Sequence, residues 1–226
     1  MQLLCVPNIS TGIADAADAA FRSALEGGAT LLDVHRDPDH GRTVYSFACE
    51  ASGLPQLVAS AAASASNEID LKAHQGVHPH IGAVDVAPVV YMNEQQRPAA
   101  LAAARELGSE LGQRGISAFL YGELASGRTR AELRSGGLSG LSHRVASGEL
   151  RPDFGPADID PRRGATLVAA RPPLLAFNLV LGPGVGLAAA RQAAAAVREG
   201  GADGLPGVRA IGLQLESQQL VQVSTN

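Results

Sequence analysis

The chain has 226 residues, a net charge of −4 and an apolar fraction of 46%. That length and apolar content suffice for a core in one large domain or two small ones, and the acidic balance argues against electrostatically driven nucleic-acid binding, which needs a basic face. Aromatics make up 4% and Trp is absent, so the core must be built mainly from Ala, Val, Leu and Ile.

Residues 3–6 form a short apolar run closed by Pro7-Asn8, which predicts a buried strand and a turn. Residues 13–26 carry Ala16, Ala20, Phe21 and Ala24 at helical spacing, and Gly27-Gly28 stops them. Strands are predicted over 30–34 and 43–49, with 35–41 a polar loop around Pro38. An Ala-rich helix over 54–69 leads into a histidine loop, and a strand over 84–91 follows. Strand, helix, strand, strand, helix, strand is the split βαβ order of ferredoxin-like folds. Asn93, with Gln96 three residues on, predicts the cap of a third helix running to about Arg114, and 116–121 adds a strand. Residues 122–164 are rich in Gly, Ser, Pro and charge, with short helices near Arg130 and His143.

After Gly164 the pattern restarts, with strands over 165–170 and 174–181, a helix over 188–199, and strands over 208–216 and 220–223. The expected class is therefore α+β. A ferredoxin-like split βαβ subdomain with an extra helix and strand would occupy 1–164, and a partial second α/β subdomain 165–226. Cys5 and Cys49 lie in apolar strand-like runs and read as buried thiols. Residues 1–7 lack a basic start, and no window approaches the roughly 20 apolar residues of a membrane span, so a soluble cytoplasmic protein without membrane partners is expected.

The histidine loop places His74, His78 and His80 within seven residues, with Gly76, Pro79 and Gly82 around them and Asp85 after. One reading is a metal site on His74, His78 and Asp85, a histidine/carboxylate hydrolase. The Gly and Pro spacing removes the helix that a His-x-x-x-His pair requires, so no metal is expected. A second is acid–base catalysis by one ring whose tautomer a carboxylate sets. A third is a loop whose histidines only bond to backbone. In His35–Arg42, Arg36 and Arg42 are candidates to grip a carboxylate bidentately, against a solvated turn. Ser10 or Thr11 would cap the first helix, or contact a ligand. The segment 151–164 is a linker or a ligand wall, and Gly182-Pro-Gly-Val-Gly186 lacks the ending of a phosphate loop.

Several of these segments together resemble the formiminotransferase domain of glutamate formimidoyltransferase. They are Cys5-Val-Pro-Asn-Ile-Ser-Thr-Gly12, Arg42-Thr-Val-Tyr45, the run from His74 to Pro88 with its His-Pro-x-x-Gly-Ala-x-Asp motif, Leu120-Tyr-Gly-Glu123, Pro152-Asp-Phe-Gly-Pro156, Ala176-Phe-Asn178 and Gln222-Val-Ser-Thr-Asn226. The resemblance implies transfer of a formimino group from N-formimino-L-glutamate to tetrahydrofolate, in histidine degradation and one-carbon metabolism. His78 falls on the family's catalytic histidine. Gly155, Pro156, Ala157, Asp158, Ile159, Asp160, Pro161, Arg162, Arg163 and Gly164 fall on its folate-binding segment. Chemistry adds Arg42 as partner for substrate carboxylates, Asn8 to hydrogen-bond substrate or order the His78 loop, and Asp85 as a further substrate-site residue. His35 stands where animal members carry an acidic residue, so the partner of His78 would be Asp37, Asp39 or Asp85. The family's second subdomain continues past the Val-Ser-Thr-Asn motif, which leads to the expectation of a homodimer, of another chain supplying that part, or of weak activity. A folate- or pterin-binding remnant without catalysis is the alternative.

Overall fold

Pro7 interrupts the first strand because it has no N–H to give to a ladder. The result is β1 (Gln2–Cys5) followed by β2 (Asn8–Ile9), both lying between β4 (Arg42–Glu50) and β5 (Val84–Val90). The computed structural model describes residues 1–74, 76–77, 79–215 and 219–226.

Outside β4 lies β3 (Thr30–Asp37), antiparallel to it. Beyond β5, in order, lie β7 (Ala165–Arg171) and β6 (Ser117–Leu120), all parallel, giving a seven-stranded sheet. Half the sheet is antiparallel and joined partly by a tight hairpin. The other half is parallel and needs crossovers. The helices α1 (Ala16–Leu25), α2 (Leu54–Glu68) and α3 (Arg97–Gln113) cover one face. The short helices α4 (Arg130–Arg134) and α5 (Gly137–Ala146) cover the other face over β5, β7 and β6, where Phe119, Leu133, Leu141 and Leu167 are buried.

The Ala runs explain the first layer. Ala59, Ala61, Ala62 and Ala65 of α2 and Ala100, Ala103 and Ala104 of α3 are all buried. Short side chains with high helix propensity let helix backbones approach the sheet closely. Strand β4 alternates buried Thr43, Tyr45, Phe47 and Cys49 with half-exposed Arg42, Val44, Ser46 and Ala48. Its second face, over the antiparallel half, therefore stays partly open.

The α+β class and the order of elements are as the sequence predicts, with four local differences. Strand β3 runs on through His35 and Arg36 to Asp37, because these pair with Val44, Thr43 and Arg42 across the hairpin. Asp15 caps α1 by accepting from Asp18 N–H at 2.9 Å, and Thr11 braces that cap through its hydroxyl. Asn93 accepts from Gln96 N–H in a turn before α3, whose N-cap is Gln96 itself. Strand β7, expected to open a second subdomain at 165, is hydrogen-bonded between β5 and β6, and the chain divides by packing after Pro173.

The second unit, Leu174–Asn226, is a three-stranded antiparallel sheet in the order β8 (Phe177–Val180), β10 (Leu220–Thr225), β9 (Ala210–Leu215). Helix α6 (Leu187–Val197) packs Ala190 and Ala194 on Ala210 and Val223. Among the described residues no helix is long and apolar enough to cross a membrane.

Cys5 and Cys49 are buried free thiols. Burial raises both, Cys49 to about 11, with the neighbouring Glu50 adding to it. Because the thiolate is the nucleophile, native protein at pH 8 is expected to react negligibly with a colorimetric disulfide reagent. In denaturant both thiols should react; fast reaction of the folded protein would contradict this packing.

Candidate functional site

Four pieces of backbone meet at the histidine loop: the turn after β2, the β3–β4 hairpin tip, the loop itself and residues 160–165. Ser10 donates its N–H to Ala83 C=O at 2.8 Å and its hydroxyl to Gly82 C=O at 2.7 Å. The hairpin tip comes from the other side, where Val77 N–H donates to Asp39 C=O at 3.0 Å. A Cβ at Gly76 would lie 2.3 Å from His40 O, and one at Gly41, whose φ is +61°, would lie 2.6 Å from the His74 ring. The third wall is Arg163 to Ala165. Ala83 N–H donates to Arg163 C=O at 2.7 Å and Ala165 N–H to Ile81 C=O at 2.9 Å. Gly82 and Gly164 form an antiparallel bridge in which a Cβ on either would sit 2.0 Å from a carbonyl oxygen of the other segment.

Within this frame the described histidine rings have defined neighbours. The rings of His74 and His80 meet edge to face, centroids 4.0 Å apart. Burial and the neighbouring His80 lower the His74 pKa, against a smaller opposing pull from the Ser10 backbone and Asp85. The buried His40 ring meets Asp37 Oδ2 at 2.6 Å, and Asp37 Oδ1 also accepts His40 N–H. His78, expected to be the catalytic base, lies outside the described residues.

Asp85 owes its direction to a bulge. Asn8 lies opposite Val86 and Ile9 opposite Val84, so Asp85 has no counterpart on β2. A bulge re-aims a side chain, and Asp85 turns to α4, where it pairs with Arg134. Its other oxygen accepts Ile81 N–H at 2.8 Å. Asn8, Val44 and Val86 stand side by side across the sheet, and Arg42 projects from the same face two residues before Val44. Burial lowers the Arg42 pKa; Asp37 and Asp85 oppose that, and Arg134 adds to it.

Of the expected residues, Asn8, Arg42, Asp85 and Gly164 are thus brought to one region. Asp160 to Arg163 join them: Arg162 C=O accepts Leu71 N–H, its guanidinium meets Asp70 at 3.1 Å, and Arg163 approaches Asp160 at 3.7 Å. Gly155 and Pro156 do not; they pack on α3 and β6, with Ser117 donating to Pro156 C=O at 2.8 Å, and β7 lies between them and the loop. Ala157, Asp158 and Pro161 are exposed, while Ile159 is buried under α4 and α5. Arg36 is held by Asp18 at 2.8 Å, and Tyr45 donates to the same carboxylate at 2.6 Å, so this guanidinium belongs to the α1–β3 packing. Asp37 serves His40 and Asp85 serves Arg134.

The sequence reading missed Arg134 and the Asp37–His40 pair. The first had one local signal, the capping box Thr129-x-x-Glu132 that starts α4.

The family model for the formiminotransferase domain, N-terminal subdomain, matches residues 2–171. The chain is similar to formimidoyltransferase-cyclodeaminase of Rattus norvegicus, 36% identical over 98% of this chain and 43% of the relative. It is also similar to the glutamate formimidoyltransferase of Thermoplasma acidophilum, 31% identical over 98% of this chain and 75% of that protein. The one of Streptococcus pyogenes serotype M1 is 31% identical over 98% of this chain and 76% of its own length. The chain therefore spans less than half the length of the rat relative.

Two measurements check the frame. Gly164→Ala adds a Cβ in a left-handed conformation, 2.0 Å from Ile81 O, and should lower stability to urea by at least about 2 kcal/mol. An unchanged midpoint would contradict the contact. His74 binds its proton less readily folded than unfolded, so its contribution is intact above the ordinary histidine pKa of about 6.5 and is lost as pH falls below it. Urea midpoints of the wild type should therefore fall between pH 7.5 and pH 5.5 more steeply than those of His74→Gln (about one pH unit on either side of that value). Equal slopes would mean the ring is not desolvated.

Proposed function

The chain belongs to the formiminotransferase domain family, and on that premise we propose that it transfers a formimino group from N-formimino-L-glutamate to tetrahydrofolate, with His78 as acid–base. The observation that carries this reading is that the family match, residues 2–171, spans all four backbone pieces that meet at the histidine loop.

In the proposed reaction the tetrahydrofolate N5 amine attacks the formimino carbon and forms the new C–N bond. His78 takes the proton that N5 sheds. The tetrahedral adduct then breaks its bond to the glutamate nitrogen, and His78 returns the proton to that nitrogen. Glutamate and 5-formiminotetrahydrofolate leave, and the histidine ends as it began. Acid–base help of this kind contributes about 10²–10⁴-fold.

Arg42 is the proposed grip for a substrate carboxylate, since a guanidinium matches it bidentately. Its position supports the role: it projects from the partly open sheet face, half buried, where an ion pair is weakened less by water. Asn8 is the amide beside it. The proposed folate wall is the part of Gly155 to Gly164 from Asp160 onward, which adjoins the histidine loop.

Purified protein with both substrates should release 5-formiminotetrahydrofolate, followed by its absorbance. His78→Ala should lower kcat by about 10²-fold or more. Arg42→Ala should act mainly on KM for formiminoglutamate, raising it about tenfold (the loss of one charge-assisted contact). Absence of transfer by the wild type, or unchanged turnover in His78→Ala, would sink the reading.

A further inference from the structure

Helix α4 has five residues, too few to be stable by itself. It is nevertheless held at both ends. The Thr129–Glu132 capping box fixes its start, and Arg144 of α5 donates to Leu133 C=O at 2.8 Å and Ser135 C=O at 3.2 Å at its finish. Between those clamps Arg134 reaches across to Asp85. The carboxylate is 3% exposed and the guanidinium side chain 16% exposed. Such a pair gains little net stability against its desolvation cost, and breaking it leaves a buried charge without compensation. Arg134 also buries its Nε–H without an acceptor among the described residues, a further cost. The guanidinium is thus held at that place for what it orients.

What it orients is Ile81. Asp85 Oδ1 accepts Ile81 N–H while Ala165 donates to Ile81 C=O, so both backbone groups of that residue are fixed. His78 precedes Ile81 by three residues. We propose that Arg134 is a positioning residue for the site: acting through Asp85, it sets the backbone from which the His78 loop departs. The proposal rests on the acid–base reading of His78 for its functional half only. A carboxylate whose cation is removed takes up a proton more readily or swings to water, and either change weakens its hold on Ile81 N–H.

The test uses the full chain with Arg134→Gln, Arg134→Lys and Asp85→Asn. Amide exchange of Ile81 should be about tenfold or more faster in Arg134→Gln, with Val89 in the centre of the sheet unchanged. Transfer should lose at least about tenfold in kcat with KM for both substrates kept, since a displaced catalytic group costs rate more than binding. Arg134→Lys should recover most of both. Wild-type exchange at Ile81 in Arg134→Gln overturns the proposal, and so does faster exchange with wild-type kcat. If Arg134→Gln does not fold, Asp85→Asn decides: it keeps an acceptor for Ile81 but no ion pair, and wild-type kcat there overturns the idea. If the wild type itself transfers nothing, the proposed reaction falls, while Ile81 exchange still decides whether Arg134 holds the loop.

Discussion

Residues 81–83 and 163–165 run so close together that neither Gly82 nor Gly164 has room for a side chain. Everything at the site hangs on that contact. It ties the end of the histidine loop to the start of β7, and β7 is a central strand, parallel to β5 and β6 on either side. The loop therefore inherits the rigidity of the sheet at one end. At its other end it rests on the hairpin tip, again through paired glycines, Gly41 and Gly76. Backbone hydrogen bonds to three other segments hold the described residues of this loop.

The same economy of side-chain volume governs the core. With few aromatics, apolar area has to come from many small contacts, and the Ala faces of α2 and α3 supply them. Four rings, Phe21, Tyr45, Phe47 and Phe119, are also fully buried. Tyr45 brings a hydroxyl into that layer, and the hydroxyl is satisfied by Asp18, which Arg36 neutralises. Packing on one sheet face and charge pairing on the hairpin are thus coupled through a single carboxylate. That coupling positions β3, and with it the hairpin tip that backs the histidine loop.

Periodicity made most of the fold legible, because the main helices run without interruption and many elements are separated by Gly or Pro. It failed where partners came from far along the chain. His35-Arg36-Asp37 looks like a polar loop locally, but cross-strand pairing with Thr43 and Val44 makes it strand. Strand β7 has the same apolar signature whichever sheet it joins, so the division after Pro173 could not be told from sequence. For the site, motifs singled out the loop and Asp85, yet not what Asp85 does. Its partner Arg134 is 49 residues away and its direction depends on a bulge, and neither has a local signature.

Two kinds of contact divide the work at the site. Glycine contacts decide where the loop can be, since they are steric and tolerate almost no displacement. Carboxylate contacts decide how it is turned: Asp37 on His40 and Asp85 on Arg134 act on the two flanks of the histidine loop. The Asp85–Arg134 pair is not well suited to adding stability, because it carries a desolvation cost comparable with its attraction. Both carboxylates are directional: Asp37 accepts the His40 N–H and meets its ring, and Asp85 accepts the Ile81 N–H and pairs with Arg134. A chain that needed only a stable turn at this point would be served better by apolar residues. Carboxylates retained there, each with one oxygen on the backbone and one on a cation or imidazole, are the arrangement expected where the orientation of the intervening histidines matters.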